Sequence, residues 1–483
     1  MDTKITLCGY RVKKISFTLE ELSLLIKDLT VEYKNSFSEK SSTVLKTYYD
    51  YHKYLFIPRH YGLLKFGLPL REQSDFQFRR HPKISDHHKF MGTLSKKQSH
   101  IVHTILKYFC DEKAQTLKNH AGGVICVVPG GGKTVIAIKL IFKVKVKCLV
   151  VLHKNFLIHQ WRNRFQQFAP TLKVGTIQQD VLDVEDKDVV LAMIQSLYKR
   201  KYDLSYFADF GMIIFDECHH LGAQMFYTVL QMYGFPYMIG LSATPKRSDG
   251  MEKIIYRALG PILYSDESSQ PVQHVVVQPV LFFSEDPFFK SVYYRHNGKI
   301  NFPTTITNIA KIKDRNDFIC TYLIISLIQT MSVHNIVFFS HNPRKVLILS
   351  GRRQQVSLFH DQLSLIFPDA EIGIYLGGTR QKDLEEAEKK PIILGTYDMA
   401  QEALDIPELD TLILTTCLKG SIKQTVGRIL RGKSKNIPLI LDIVDNLDFF
   451  WYKWSARKKY YREQQFYLNS MLHFKENKWV SLN

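Results

Sequence analysis

Between Gly122 and Phe142 the chain reads GGVICVVPGGGKTVIAIKLIF, and few folds accept such a stretch. Val124 to Val128 are apolar and mostly β-branched, the pattern of a strand buried on both faces. Pro129, Gly130, Gly131 and Gly132 cannot continue that strand. From Thr134 onward, Val135, Ile136, Ile138, Leu140 and Ile141 read as the apolar side of a helix. Strand, glycine turn, helix is the context in which backbone N–H groups cradle phosphates, because no Cβ blocks their approach and the helix N-terminus adds partial positive charge. Lys133 is then expected to reach the β- and γ-phosphates of ATP, and the Thr134 hydroxyl to hold Mg²⁺. One position departs from the GxxxxGK[ST] template: Val127 stands where it has glycine, although Gly130, three before the lysine, fits a variant form. The loop serves kinases, GTPases and motors alike, so it names no function alone.

The downstream order narrows the choice. Lys147 to Phe165 (KCLVVLHKNFLIHQWRNRF) predicts a second buried strand and a helix carrying Gln160, Trp161, Arg162 and Arg164. Asp188 to Leu197 reads as a third strand. In FGMIIFDECHHLGA, Phe210 to Ala223, an apolar strand delivers Asp216 and Glu217 to its carboxyl end, where open parallel sheets bind ligands. Asp216 suits a grip on Mg²⁺, and Glu217 suits orienting the water that attacks the γ-phosphate. His219 and His220 have no partners at zinc-ligand spacing. In YMIGLSATPKRSDGM, Tyr237 to Met251, a further strand ends on Ser242 and Thr244, hydroxyl residues able to bond the acidic pair and a neighbouring segment. A second series of strands follows at 335–340, 346–350, 372–378, 391–400, 411–417 and 438–444, with helical stretches between some of them and no second GKT. Two tandem α/β domains, one of them a degenerate copy, are the expectation.

PGGGKT, DECHH, GLSATP and QTVGRILR, in that order, resemble motifs I, II, III and VI of the superfamily 2 helicases, and ILGTYDMAQEALDIPELD resembles motif V. The cysteine and histidine of DECHH give it the DExH form. GLSATPKRSDGM and QEALDIPELD are most similar to the XPB-like group, which includes the helicases of large cytoplasmic DNA viruses, such as the poxviral transcript-release type. The likeness runs from about Leu94 to Asp445. It implies two RecA-like parallel-sheet domains sharing one ATP. Lys133, Asp216, Glu217, Arg428 and Arg431 would be catalytic, with Arg431 the first choice as arginine finger. Gln98, Asp405 and Gln424 would contact the nucleotide beside the glycine loop, and His219, Ser242 and Thr244 would couple hydrolysis to motion. Gln160, Arg162, Gln195, Gly395 and Thr396 would lie along the nucleic acid. The family usually has glycine at the position of Ala403.

Charge agrees with such a partner. Lys plus Arg number 65 against 46 for Asp plus Glu, a net +19, which suits a polyanion. The seven cysteines are scattered without a CxxC pair, so neither a disulfide framework nor a zinc site is expected, and a reducing compartment is. The opening MDTKITLCGYRVKK lacks a signal-peptide core, and no apolar run reaches membrane-spanning length. The expected divisions are an accessory N-terminal domain at 1–90, the ATP-binding domain at 91–262, the second RecA-like domain at 263–450 and a helical tail at 451–483, with 261–308 an irregular connector and edge. TYYDYHKYLFIPRHYGLLKFG, from Thr47, is dense in aromatics and cations. It fits either a base-stacking surface or the core and rim of a small domain. Arg457, Lys458, Lys459 and Arg462 in the tail are either nucleic-acid contacts or solvated charges.

The sequence therefore points to an ATP-dependent, Mg²⁺-using DNA helicase or translocase. The resemblance implies 3′-to-5′ movement on DNA or an RNA–DNA hybrid, in viral transcription (beside its machinery) or in recombination and repair; a cytoplasmic setting is expected, with a nuclear one as the alternative. An RNA helicase, or a duplex translocase that never separates strands, stays open. So does a non-catalytic scaffold with a dead ATP site, against which the intact catalytic set argues. A small-molecule kinase fits poorly with a second sheet and this charge.

Overall fold

The computed structural model describes residues 2–480 apart from 7, 35–41, 70–83, 112–115, 119, 129, 201, 220–222, 244–251, 267–274, 326–343, 369–370, 403–405, 407, 419–421, 423–424, 427–435 and 476–477. The chain divides into two compact units, Met1–Glu267 and Ser268–Asn483.

The first unit is built on an eight-stranded sheet. Its strands lie in the spatial order Val181–Asp183, Val174–Gln178, Val189–Met193, Lys147–Leu152, Phe210–Phe215, Tyr237–Ser242, Ala121–Cys126, Ile262–Ser265. All pairings are parallel except that of the first edge strand. The central strands are buried along their whole length but for Lys147, as near-continuous Val, Ile and Leu runs require of a sheet covered on both faces. The helices Lys96–Phe109, Lys133–Val144 and Asn155–Phe168 bury Ile101, Ile105, Ile136, Leu140, Trp161 and Phe165 in one of its two cores. The predicted strand at 188–197 is shorter than its apolar run: it ends at Met193 and a helix, Ile194–Lys199, takes over. Burial along the run hides the change of period.

Residues before this sheet form a smaller layer. Four antiparallel strands lie in the order Thr3–Thr6, Gly9–Lys13, Tyr54–Ile57, Tyr49–Tyr51. The helix Leu19–Asp28 starts on a Thr18/Glu21 capping box and seals one face of this sheet with Leu25. The layer docks on segments flanking the eight-stranded sheet: Arg59 donates to the Phe235 carbonyl, Tyr227 donates to the Thr47 carbonyl, and Arg257 grips Asp28 at 2.7 Å.

In the second unit, the strands run Ile372–Tyr375, Ile392–Thr396, Val346–Ser350, Thr411–Leu414, Leu439–Asp445, Val276–Phe282, Leu472–Lys475, Lys478–Val480, with Tyr467–Leu468 pairing beside Val276–Phe282. Two expectations change here. Val276–Phe282 is an inner strand, although the stretch 261–308 reads as irregular. Its Pro279 falls at the break between two partner segments on one side, Tyr467–Leu468 and Leu472–Lys475, while pairing with Leu439–Asp445 runs unbroken on the other. The Gln278 amide closes that break by donating to the Ser470 carbonyl at 2.9 Å and accepting from Asn469 at 2.9 Å. The tail is also more than a helix. After Asp448–Glu463 it adds strands to the sheet, so it belongs to the core of this unit. The expected strand at 335–340 lies outside the described residues.

Candidate functional site

Three neighbouring strands end together. Ala121–Cys126 leads into the glycine loop, Phe210–Phe215 delivers Asp216, and Tyr237–Ser242 ends on Ser242. Their register is fixed side by side, with Ser242 opposite Cys126 and Gly240 opposite Phe215. Parallel pairing alone thus gathers three sequence motifs at the carboxyl ends of the sheet.

The loop is shaped by left-handed glycines. Gly130 has φ 81° and Gly132 φ 86°, and Gly132 is the N-cap of Lys133–Val144. No side chain caps this helix, so its first N–H groups are left for an acceptor from outside the helix. The Val127 departure has a physical counterpart. Val127 is fully buried, and its Cγ1 occupies the space a Cβ on Gly131 would need. A side chain at Gly132 would likewise collide with Gln98 Nε2. Gln98 therefore sits against the loop, but its Oε1 accepts from the Ser95 N–H at 2.9 Å in the capping box of Lys96–Phe109.

Lys133 Nζ pairs with Glu217 Oε1 at 2.5 Å, and both groups are largely shielded. Glu217 holds a left-handed φ of 45°, a conformation costing a non-glycine residue about 1 kcal/mol or more. His219 Nδ1 lies 3.4 Å from Glu217 Oε2 and 2.9 Å from Ser242 Oγ. Lys133, Glu217, His219 and Ser242 are thus one connected chain of polar contacts across the three strand ends.

Asp216 is buried beside them. Its Oδ2 accepts from Trp161 Nε1 at 2.7 Å and its Oδ1 from the Glu217 N–H at 3.0 Å. Burial first, then the neighbouring Glu217 charge, pushes the Asp216 carboxyl up from the ordinary carboxylate range, against the pull of Lys133 and Trp161. A buried carboxylate held at a raised pKa beside a lysine is primed to gain from a cation. Among the described residues no cluster of three or more His, Cys, Asp or Glu could hold a metal unaided. The donors the sequence assigns to a metal, the Thr134 hydroxyl and the Asp216 carboxylate, are hard oxygens, few in number. Hard oxygens are the donor type that a cation such as Mg²⁺ would require.

Two residues of this site escape a reading of the sequence. Trp161 lies at the spacing of Leu157, Ile158 and Phe165 and looks like core, as it also is, being fully buried. Asp266 follows the edge strand Ile262–Ser265, 138 residues from its partner in the loop. Its Oδ2 accepts from the Val128 N–H at 3.1 Å, and its Oδ1 is 2.9 Å from both Lys97 Nζ and the Tyr264 hydroxyl. It braces the entry to the glycine loop from the next strand.

Other expected residues have surroundings of their own. Arg162 is bonded within its own unit, donating to the Val174 carbonyl at 3.2 Å and to Thr176 Oγ1 at 2.6 Å. Gln195 donates to the His153 carbonyl at 2.9 Å, and Gln160 lies part-exposed on the Asn155–Phe168 helix. Gly395 and Thr396 end the strand Ile392–Thr396 of the second unit, where a Cβ on Gly395 would crowd the Tyr375 carbonyl at 3.0 Å. In the tail, Arg457 is neither solvated nor open to a ligand, because it is buried against Asp442 at 2.8 Å. Pro129, Thr244, Asp405, Gln424, Arg428 and Arg431 lie outside the described residues, as does His220.

With that geometry in hand, likeness to known proteins is informative. Residues 91–247 match the family described as type III restriction enzyme, res subunit. A protein of Acanthamoeba polyphaga mimivirus, provisionally named an ATP-dependent RNA helicase, is 36% identical over 495 residues, spanning 99% of this chain and 90% of its own length. The DNA 3′-5′ translocase XPB2 of Sulfurisphaera tokodaii is 34% identical over 145 residues, 29% of this chain and 31% of that protein. Among solved structures, the ATP-dependent type ISP restriction-modification enzyme LlaBIII bound to DNA is similar in fold. Its TM-score is 0.51 at 14% identity, covering 74% of this chain and 28% of that one.

Proposed function

This chain belongs to the superfamily 2 helicases, and we propose that it is a DNA helicase or translocase moving 3′ to 5′. Its helicase-type ATPase chemistry and its nucleic-acid partner come with the family; strand type and direction are the proposal. The observation that carries the ATPase reading is the Lys133–Glu217–His219–Ser242 chain at three adjacent strand ends, with Asp216 buried alongside. In this reading Lys133 exchanges Glu217 for phosphate oxygens, and the freed Glu217 orients the attacking water. Thr134 and Asp216 hold Mg²⁺, which when bound neutralises charge on the β- and γ-phosphates. His219 passes the change at Glu217 to Ser242. Arg428 and Arg431 are proposed to stabilise the departing phosphates, with Gln98, Asp405 and Gln424 at the nucleotide. Gln160, Arg162, Gln195, Gly395 and Thr396 remain candidates for the nucleic-acid track, with Arg162 first having to leave Thr176.

The DNA assignment is supported by the likeness to a protein named as a DNA translocase, and the net charge of +19 suits either nucleic acid. The provisional name of the mimivirus relative favours a second reading, an RNA helicase. Among the described residues no helix is long and apolar enough to cross a membrane. A cytoplasmic viral factory, in company with transcription machinery, is the setting we propose from the viral relative. Strand displacement separates the readings. On tailed DNA, RNA and hybrid duplexes, the DNA reading expects ATP-dependent release of DNA with a 3′ tail. Release confined to RNA duplexes favours the second reading, and release only from 5′ tails reverses the direction.

A further inference from the structure

We propose that the outer face of the N-terminal four-stranded sheet is a binding platform for an unpaired nucleic-acid strand, separate from the motor site. The inference rests on the reading that this chain works on nucleic acid. Strand alternation sends Ile5, Tyr10, Val12, Leu55 and Ile57 into the core. The opposite face is left with a different chemistry. Register places Tyr49 opposite Phe56 and Phe56 opposite Arg11; one step along, Tyr51 faces Tyr54 and Tyr54 faces Lys13. Each row therefore reads aromatic, aromatic, cation, and Lys4 extends the first row beyond Arg11.

The two outermost rings stand in solvent, Tyr49 at 54% and Tyr51 at 50% exposure. They are held nearly parallel, 17° apart with centroids 6.1 Å apart. The Arg11 guanidinium lies 4.3 Å above the Tyr54 ring, so cation and aromatic are already stacked. Asp2, 3.8 Å from both Arg11 and Lys13, is the acid in ion-pair contact with these cations. Asp50 alternates to the other side of its strand, where it pairs with Lys14.

Exposed aromatics would be a liability on an edge strand if they faced only water. The interleaved cations decide what they suit. A purely apolar partner would leave Arg11 and Lys13 desolvated, whereas a nucleic-acid strand supplies phosphates for the cations and base faces for the rings. The strand must be unpaired, since a duplex hides its base faces in its own stack. The two candidate readings of the aromatic stretch thus divide by strand alternation: Leu55 and Ile57 are core, and Tyr49 and Tyr51 are surface.

The test compares the full chain with its Tyr49→Ala/Tyr51→Ala and Tyr49→Phe/Tyr51→Phe variants. Anisotropy of a labelled oligothymidylate of roughly 15 nucleotides, and of a duplex of equal length, reports affinity. Ultraviolet crosslinking of a bromouracil-substituted strand, read by mass spectrometry, reports location. The alanine pair is expected to weaken single-strand binding about ten-fold or more, at ~1–3 kcal/mol per stacked base, and duplex binding less than about two-fold. The phenylalanine pair should bind like the parent, and crosslinks should fall on the peptide holding Tyr49, Tyr51 and Tyr54. An alanine pair that melts like the parent and binds the strand equally well overturns the platform. So do crosslinks confined to residues beyond the N-terminal layer, or a change only in self-association. A parent chain that binds no oligonucleotide of either kind instead overturns the proposed function itself.

Discussion

At the residue scale, the placing of Asp216 decides what the site can do. Both of its oxygens accept N–H groups, one from its own strand end and one from a tryptophan on a separate helix. The carboxylate is thereby fixed in rotation before any cation arrives. Replacing the indole by a phenyl ring removes its N–H while keeping an aromatic side chain. Trp161→Phe should raise the Mg²⁺ concentration needed for half-maximal ATP turnover and lower kcat by about ten-fold, the usual scale for an outer partner of a metal ligand. Its melting temperature should fall as well, because the smaller ring leaves a cavity at a fully buried position in addition to losing one hydrogen bond of about 1 kcal/mol. A Mg²⁺ titration of the ATPase checks this; an unchanged titration and rate would reduce Trp161 to core packing. Lys133, Asp216 and Glu217 are legible in the sequence because their neighbours in the chain build their loops. Trp161 and Asp266 are not, because their roles come from contacts spanning 55 and 138 residues, which no local pattern encodes.

At the element scale, the helix Asp448–Glu463 is tied to its sheet by a buried ion pair as well as by aromatics. Arg457 Nε and the Tyr461 hydroxyl both donate to Asp442 Oδ2 at 2.8 Å, deep in the second unit. Breaking such a pair leaves a buried, uncompensated carboxylate. Arg457→Ala should therefore destabilise the second unit by about 3–5 kcal/mol, whereas changing a neighbouring exposed lysine, Lys459→Ala, should do almost nothing. Chemical denaturation of the two variants checks the contrast, and equal midpoints would refute it. The helix is legible from the helical spacing of Trp451, Trp454, Tyr460 and Tyr461, although Trp451 is exposed; the burial of Arg457 is not, because an arginine among lysines reads as a solvated face. The strand Val276–Phe282 is obscured for a similar reason. Pro279 argues against an inner strand until the broken partner opposite it is known. The parallel strands of both sheets are the most legible elements, since burial on both faces writes them as unbroken apolar runs.

At the scale of the whole molecule, alternation of strand and helix along the chain forecasts two parallel-sheet α/β units, and both are present. The boundary of the tail and the packing of the N-terminal layer depend on long-range pairing, which the sequence leaves open. Cysteine chemistry offers a test of the whole fold. Cys126, Cys148, Cys218, Cys320 and Cys417 are buried, while Cys8 and Cys110 are partly exposed. Burial pushes the Cys126 thiol up to about 12 and the Cys417 thiol up to about 11. A thiol with a raised pKa stays protonated, hence unreactive, at lower pH. Alkylation of the native chain near pH 8 should label Cys8 and Cys110 alone. Labelling of Cys126 or Cys218 without denaturant would show that the site's core is open.

The central claim is that Glu217, released from Lys133, directs water in a nucleic-acid-driven ATPase. It is tested most directly by steady-state ATP hydrolysis by the parent chain and Glu217→Gln, each with and without single-stranded DNA and RNA. The account predicts that nucleic acid accelerates the parent about ten-fold or more. It also predicts that Glu217→Gln binds ATP normally yet turns it over at least about a hundred times more slowly. Near-parental turnover by Glu217→Gln, or a parent rate indifferent to every nucleic acid, would contradict it.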